Sequence, residues 1–336
     1  MDHHDLLHLE LLTSREPPSW DGTLGAALFN GEAHAGAGAA LAFPAELPLA
    51  RVSMPLLEQR SAIERWRISG HLRTGSHESI RYAHTGEFLF GSLHLREDAT
   101  AGGHTGLERA TDRAYRDIHA TLDATGFAHL LRVWNYLPDI NLETHGTERY
   151  RQFNGARQEA LISCGRDVRG NVPAASALGS TGGPLSIYFL AGRSAPAFIE
   201  NPRQVSAYHY PAQYGPRAPS FSRAALVRHS GATLFISGTS SILGHRTLHE
   251  GDPAAQTRET LANIEALLGE ANRLKVGTFR LDSLLYKVYV RNPQDLPVIR
   301  AELDSAVGAR SPRIYLRADV CRSDLSMEIE AVGEQI

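Results

Sequence analysis

Ser326-Met327-Glu328-Ile329-Glu330-Ala331-Val332, close to the end of the 336-residue chain, alternates charged and apolar side chains with the period of a β-strand. Met327, Ile329 and Ala331 fall on the face that this pattern predicts to be buried, and Glu328 and Glu330 share the other. Arg313, in Ser311-Pro312-Arg313-Ile314-Tyr315-Leu316, opens the preceding apolar stretch. If the two stretches are adjacent antiparallel strands, a guanidinium and a carboxyl group meet in one pocket, an anchor for a small anion beside a proton donor. The same pattern also describes a solvated sheet surface, and the rest of the chain has to decide between them.

Composition narrows the field. A chain of 336 residues with 42% hydrophobic content has room for two or three domains and a large core. Thirty-four basic against 37 acidic residues leave a net charge of −3, which provides no overall field for a nucleic acid or an anionic membrane. No apolar run approaches the ~18 residues of a membrane span, and the start, Met1-Asp2-His3-His4-Asp5, is acidic where a signal peptide is basic. The expectation is a cytoplasmic protein whose partner is a small molecule, with no nucleic acid and no membrane. Cys164 and Cys321 are the two cysteines, too few for a disulfide framework or a cysteine-built zinc site. The 16 histidines are scattered without the spacing of a zinc motif, so neither a metal nor another cofactor is expected. The glycine-rich stretch 31–38 lacks a lysine and a strand-to-helix context, and reads as a loop.

From about residue 87 the chain runs strand, long helix, strand, shorter helix, then two strands, and from about residue 233 it does so again. Glu87-Phe88-Leu89-Phe90-Gly91 opens the first copy and Thr233-Leu234-Phe235-Ile236-Ser237-Gly238 the second. Helices over 107–125 and 253–271 follow, the latter with Asp252 as N-cap and Pro253 at the first helical position. Apolar strands at 130–136 and 284–290 come next, then helices over 148–162 and 296–307, and a closing hairpin in each copy. An offset of about 150 residues exceeds solenoid periods and indicates a duplicated domain. Alternating helices and strands predict α+β units, mixed sheets covered by helices. The closing strands of the first copy carry neither the arginine nor the glutamate, so only the second keeps the candidate site.

The second copy resembles the reactive-intermediate deaminases, in Phe221-Ser222-Arg223-Ala224, Ile236-Ser237-Gly238-Thr239, the 254–264 helix and Glu328-Ile329-Glu330-Ala331. That resemblance implies pockets between neighbouring units, with Arg313 holding a carboxylate and Glu328 handling a proton. Tyr315 replaces the family's usual cysteine. A closer resemblance covers most of the chain. The strings VWNYLPDIN (133–141), ERYRQFNGAR (148–157), ENPRQVSAYHYPAQYGPRAPSFSRA (200–224), FISGTSSILGH (235–245) and ADVCRSDLSMEIEA (318–331) are similar to those of the chorismatases. This implies removal of the enolpyruvyl side chain of chorismate as pyruvate, leaving a dihydroxycyclohexadiene carboxylate or a hydroxybenzoate.

Such a substrate is a dianion with a vinyl ether, and protonating the terminal methylene carbon cleaves it through an oxocarbenium ion. The reaction needs two cationic anchors and one partly desolvated acid. Glu328 is the candidate acid and Arg313 the first anchor. Arg149, Arg157 and Arg217 compete for the second, with Arg149, at a helix start, the weakest. Tyr150, Tyr208, Tyr210 and Tyr214 are candidate pocket walls, and Gly238 and Thr239 lie where the strand leaves room for a substrate. Hydroxybenzoate-forming chorismatases resemble this chain in carrying cysteine at Cys321 and glycine at Gly238, where the diene-forming relatives look like alanine. The resemblance therefore implies 3-hydroxybenzoate, with 4-hydroxybenzoate as a further product. Hydrolysis to the diene, an imine deaminase and a silent carboxylate-binding module are the alternatives. The expected layout is an amino-terminal segment 1–65 adding strands beside the first copy (52–57 and 65–69), a first unit over 66–200 and a second over 201–336. Single-unit relatives form trimers, whereas an internal duplication favours a monomer.

Overall fold

The computed structural model describes residues 6–13, 19–30 and 42–335. The acidic start and the glycine-rich 31–38 stretch lie outside the described residues. Three sheets surround one core. The first comprises β1 (Leu7–Leu12), β2 (Thr23–Asn30), β3 (Leu49–Ser53) and β4 (Ser61–Ile68), in the order β1-β4-β2-β3.

The first helix-covered unit contains β5 (Arg73–His77), β6 (Ile80–His84), β7 (Phe88–Leu95), α1 (Gly106–Thr125), β8 (His129–Pro138), the short ladder β9 (Glu143–Thr144) and β10 (Thr147–Glu148), α2 (Arg149–Ser163), β11 (Ala174–Ser180) and β12 (Leu185–Gly192). The second contains β13 (Ala197–Ile199), β14 (Ala224–Arg228), β15 (Ala232–Thr239), the ladder β16 (Ile242–Leu243) and β17 (Arg246–Thr247), α3 (Pro253–Arg273), β18 (Leu284–Val290), α4 (Leu296–Val307), β19 (Arg313–Arg317) and β20 (Met327–Gln335). The two six-stranded sheets run β11-β8-β12-β7-β6-β5 and, from the matching edge, β19-β18-β20-β15-β14-β13. The same connectivity occurs twice, which makes the class α+β with tandem units of mixed sheet.

Local chemistry sets the long helices. Thr105 and Glu108 form a reciprocal capping box at the start of α1, and Gly126 ends it in the left-handed region at φ 72°. Asp252 accepts the Ala255 N–H at 3.0 Å ahead of Pro253. Among the described residues, no helix is long and apolar enough to cross a membrane.

The structure corrects three expectations. The closing strands are not hairpins: β8 separates β11 from β12, and β18 separates β19 from β20. A crossover helix brings β11 and β19 in parallel to β8 and β18, and the last strand then inserts antiparallel on the other side. The amino-terminal strands also do not extend the first unit's sheet. They form their own, and residues beyond β3 cover the open edge of β19, where Leu57 N–H donates to Tyr315 O at 2.9 Å and Arg317 N–H to Pro55 O at 2.8 Å. Finally, both faces of β20 are buried. Met327, Ile329 and Ala331 pack against α3 and α4, while Val332 joins a core that includes Trp66, Trp134 and Tyr188 from the other two sheets.

Candidate active site

β20 is the central strand of the second unit, and its Glu328 and Glu330 project toward the first unit. β18 fixes their register through the pairs Tyr289–Glu328 and Lys287–Glu330. On the other side, β15 pairs Ile236 with Ala331 but Thr239 with Ile329, so Ser237 and Gly238 form a bulge. The bulge leaves space for the acid: a Cβ on residue 238 would lie 1.8 Å from Glu328 Oε1. Gly238 N–H donates to Ser176 Oγ of the first unit at 2.9 Å, and Ser237 Oγ accepts the Ala175 N–H at 3.0 Å. The bulge thus joins the two units beside Glu328.

A cavity of about 230 Å³ opens at this junction, with Tyr150 from α2, Phe221 and Arg223 from the approach to β14, and Gly238, Cys321, Arg322 and Glu328 in its wall. A recess of about 30 Å³ continues inward past Glu328 to Arg157, Ser176 and Ala177. Three guanidinium groups reach the combined space. Arg157 Nε, Arg223 Nε and Arg322 Nη2 are buried and find no hydrogen-bond partner among the described residues. Their remaining contacts hold them in place. Arg223 donates to Tyr210 OH at 2.8 Å and Val205 O at 2.9 Å, Arg322 donates to His245 O at 2.9 Å and stacks 4.1 Å from the Tyr214 ring, and Arg157 lies 5.2 Å from the Phe153 ring. Buried N–H groups without acceptors are costly, so such a wall is built for an anion.

The carboxyl group at the centre is weakly solvated by the protein. Glu328 is 4% exposed, with Ser240 Oγ at 3.5 Å and Cys321 Sγ at 4.0 Å as its hydrogen-bonding neighbours. Burial, then the negative charge of Glu330, raises its pKa to about 8 against the opposing pull of Arg132. At neutral pH it is therefore protonated and can donate. Burial and the neighbouring Glu328 push the Cys321 thiol up to about 12, so it stands beside the acid as a neutral group.

The sequence-derived candidates separate cleanly. Glu328, Cys321, Gly238, Tyr150 and Tyr214 line the main cavity, and Arg157 the recess. Arg313 does not reach it: the adjacency assumed for its strand fails because β18 intervenes, and its register partner is Tyr286, well along β18 from the Tyr289–Glu328 pair. It sits on the helix-covered face, donating to Asp304 Oδ1 and Gly308 O, each at 2.7 Å. Arg217 is exposed, 3.9 Å from Glu159, because its proline-rich turn faces outward. Arg149 binds Glu97 and Pro138 O. Tyr208 packs on His209, and buried Thr239 donates to Ser237 O at 2.8 Å, so neither lines the cavity. No three His, Cys, Asp or Glu side chains among the described residues converge as a metal site would require.

Sequence reading passed over Arg223, Arg322 and Ser176. Arg223 carried a signal, a charge at the threshold of the apolar run Ala224-Ala225-Leu226-Val227. Arg322 lies inside the 318–331 string that carries the resemblance, with nothing in its residue type to single it out, and Ser176 had no signal, since strand positions of its type are ordinary.

The family model for the chorismatase FkbO/Hyg5-like N-terminal domain matches residues 64–191. A 3-hydroxybenzoate synthase of Streptomyces hygroscopicus is 40% identical over 280 residues, 80% of this chain and 80% of the relative. A chorismatase of Streptomyces rapamycinicus is 36% identical over 294 residues, 85% and 86% of the two chains. The crystal structure of a chorismatase superposes with a TM-score of 0.87 at 30% identity, over 99% of this chain and all of the other. The tandem α+β architecture is thus shared over the whole length with a chorismatase. The chain belongs to the chorismatase family.

Proposed function

We propose that this protein cleaves the enolpyruvyl ether of chorismate, releasing pyruvate and 3-hydroxybenzoate. One observation carries the reading: a buried carboxyl group that is protonated at neutral pH faces a cavity and recess lined by Arg157, Arg223 and Arg322, each with one enclosed N–H that finds no partner among the described residues. A dianion with an acid-labile vinyl ether suits both halves of that arrangement. The 40%-identical relative named 3-hydroxybenzoate synthase supports the choice of product.

Arg157 in the recess holds one carboxylate, while Arg223 and Arg322 receive the other. Tyr150 and Phe221 flank the ring. Charge-assisted bonds of this kind contribute about 1.5–3 kcal/mol each. Glu328 delivers its proton to the methylene carbon, which becomes the methyl group of pyruvate, and the resulting oxocarbenium ion weakens the bond between ring carbon and ether oxygen. That bond breaks as the oxygen of the neighbouring ring hydroxyl bonds to the same carbon, passing its proton back to Glu328 and forming an epoxide. The epoxide then opens by breaking its bond to the carbon that first bore the hydroxyl, and transfer of a ring hydrogen to the oxygen aromatises the ring with no net addition of water. Cys321 and the bulge at Gly238 occupy the wall where a water would otherwise attack.

Action as a monomer belongs to the same proposal, supported by the amino-terminal sheet, which supplies the third wall of the common core. Two free thiols fit a reducing compartment such as the cytoplasm. The test is incubation with chorismate, coupling released pyruvate to a dehydrogenase and weighing the ring product. Pyruvate with 3-hydroxybenzoate is expected. A product heavier by one water would replace this reading by hydrolysis to the diene, and saturable binding without pyruvate would leave only a binding module.

A further inference from the structure

Behind the recess, where the three sheets meet, lies a charged cluster that no substrate can reach. Glu64 on β4, Arg132 on β8, and Lys287 and Glu330 on β18 and β20 are each 4% exposed or less. Arg132 and Ser176 both donate to Glu330 Oε2, the serine at 2.6 Å. Tyr289 OH donates to Oε1 at 2.6 Å, and Lys287 Nζ bridges Glu330 Oε1 and Glu64 Oε2 at 2.5 Å each. Trp66 Nε1 and Tyr188 OH complete the shell of Glu64, at 2.8 and 3.1 Å. Ser176 touches both worlds: while donating to Glu330 it accepts from Arg132 Nη2 at 2.5 Å and from Gly238 N–H at 2.9 Å.

The cluster is geometrically coupled to the acid. Glu328 and Glu330 leave the same face of one strand two residues apart, about 7 Å in an extended chain. At that range in a dry interior, a fixed charge acts strongly on a neighbouring proton. Removing so many charges from water is expensive, and an apolar core would fill this space at less cost. Its position behind the proton donor gives it a use.

We propose that Glu330, clamped by Lys287 and Arg132, is a positioning residue that keeps Glu328 loaded with its proton, and that Glu64 preserves this field by occupying Lys287. This rests on Glu328 as the proton donor, and gives the amino-terminal sheet a part in the reaction through one residue. Lys287 and Arg132 lower the pKa of Glu330, which stays ionised, and its charge in turn raises Glu328. The other groups facing Glu328 are Arg223, Arg157, Arg322, Tyr150 and Cys321, with Glu148 and Asp324 farther round the cavity. Tyr136, Tyr188 and Tyr289 surround Lys287 and Glu330, and burial keeps all three phenols neutral.

The experiment is the pH dependence of kcat/KM for pyruvate release, read only by the position of its alkaline limb. Glu330→Gln should move that limb down by about one pH unit or more, a tenfold or larger loss on its far side. Glu64→Gln should move it down by less, and Arg132→Met should move it up. Opposite displacements from neighbouring buried residues are not what a structural role produces. A limb that stays in place in the folded variants overturns the proposal. Should Glu330→Gln fail to fold, the signs for Glu64→Gln and Arg132→Met decide it. Loss of the proton-donor reading is separate: it would show as a wild-type profile without an alkaline limb, or as full activity in Glu328→Gln.

Discussion

Glu328 and Glu330 are neighbours on one face of β20, yet burial and its neighbour lift the first to a pKa of about 8, while Lys287 and Arg132 hold the second below the ordinary carboxylate range. Environment alone separates them: Glu330 has four donors on its two oxygens, whereas Glu328 has a distant hydroxyl and a thiol. The result is a neutral acid at the cavity and a fixed anion behind it.

Glu328→Gln is expected to reduce pyruvate release by ~10²–10⁴-fold, the usual range for losing a general acid, with binding of chorismate retained. Parallel turnover and calorimetric titration check this. Loss of binding along with turnover would mean that the residue holds substrate instead.

The same variant should be more stable than the wild type at neutral and alkaline pH. A carboxyl group whose folded pKa, about 8, exceeds its ordinary 4.5 contributes stability that is full below the lower value and lost as pH rises through the upper. Glutamine removes that loss, on the order of a few kcal/mol. Denaturant melts should show the advantage above neutral pH and its disappearance below about pH 4.5.

Arg157→Met and Arg223→Met should each cost about 1.5–3 kcal/mol of substrate binding, a rise in KM of roughly 10- to 150-fold. Arg313→Met and Arg217→Met should leave KM within a factor of about two, since neither guanidinium reaches the cavity. Steady-state kinetics on the four variants test the assignment, and a large KM effect from Arg313→Met would contradict it.

Cys321→Ala should divert product toward the dihydroxy diene, because it opens space 4.0 Å from Glu328 for a water molecule. Chromatography with mass detection measures the ratio. An unaltered ratio would remove Cys321 from product control.

Lys287→Met should destabilise the fold by about 3–5 kcal/mol, since it leaves Glu64 and Glu330 buried without their shared cation. Urea unfolding measures the change, and a loss below about 1 kcal/mol would show that the cluster tolerates an unpaired charge.

Period and punctuation made much of the architecture legible in the residues themselves. Alternation gave β20 its two faces, Asp252-Pro253 marked the start of α3, and similar strand and helix signals about 150 residues apart revealed the duplication. These are local properties, set by side-chain spacing within one element. Strand order is not local: nothing in Arg313 or its neighbours shows that β18 inserts between β19 and β20, and that insertion is what takes Arg313 out of the site. Likewise Lys287 and Arg132, single charges in apolar strands, announce buried ionic partners without naming them. Glu330, Glu64 and the gathering of Arg157, Arg223 and Arg322 around one acid come from the packing of three sheets, because residues so far apart in the chain meet only when every sheet is in place.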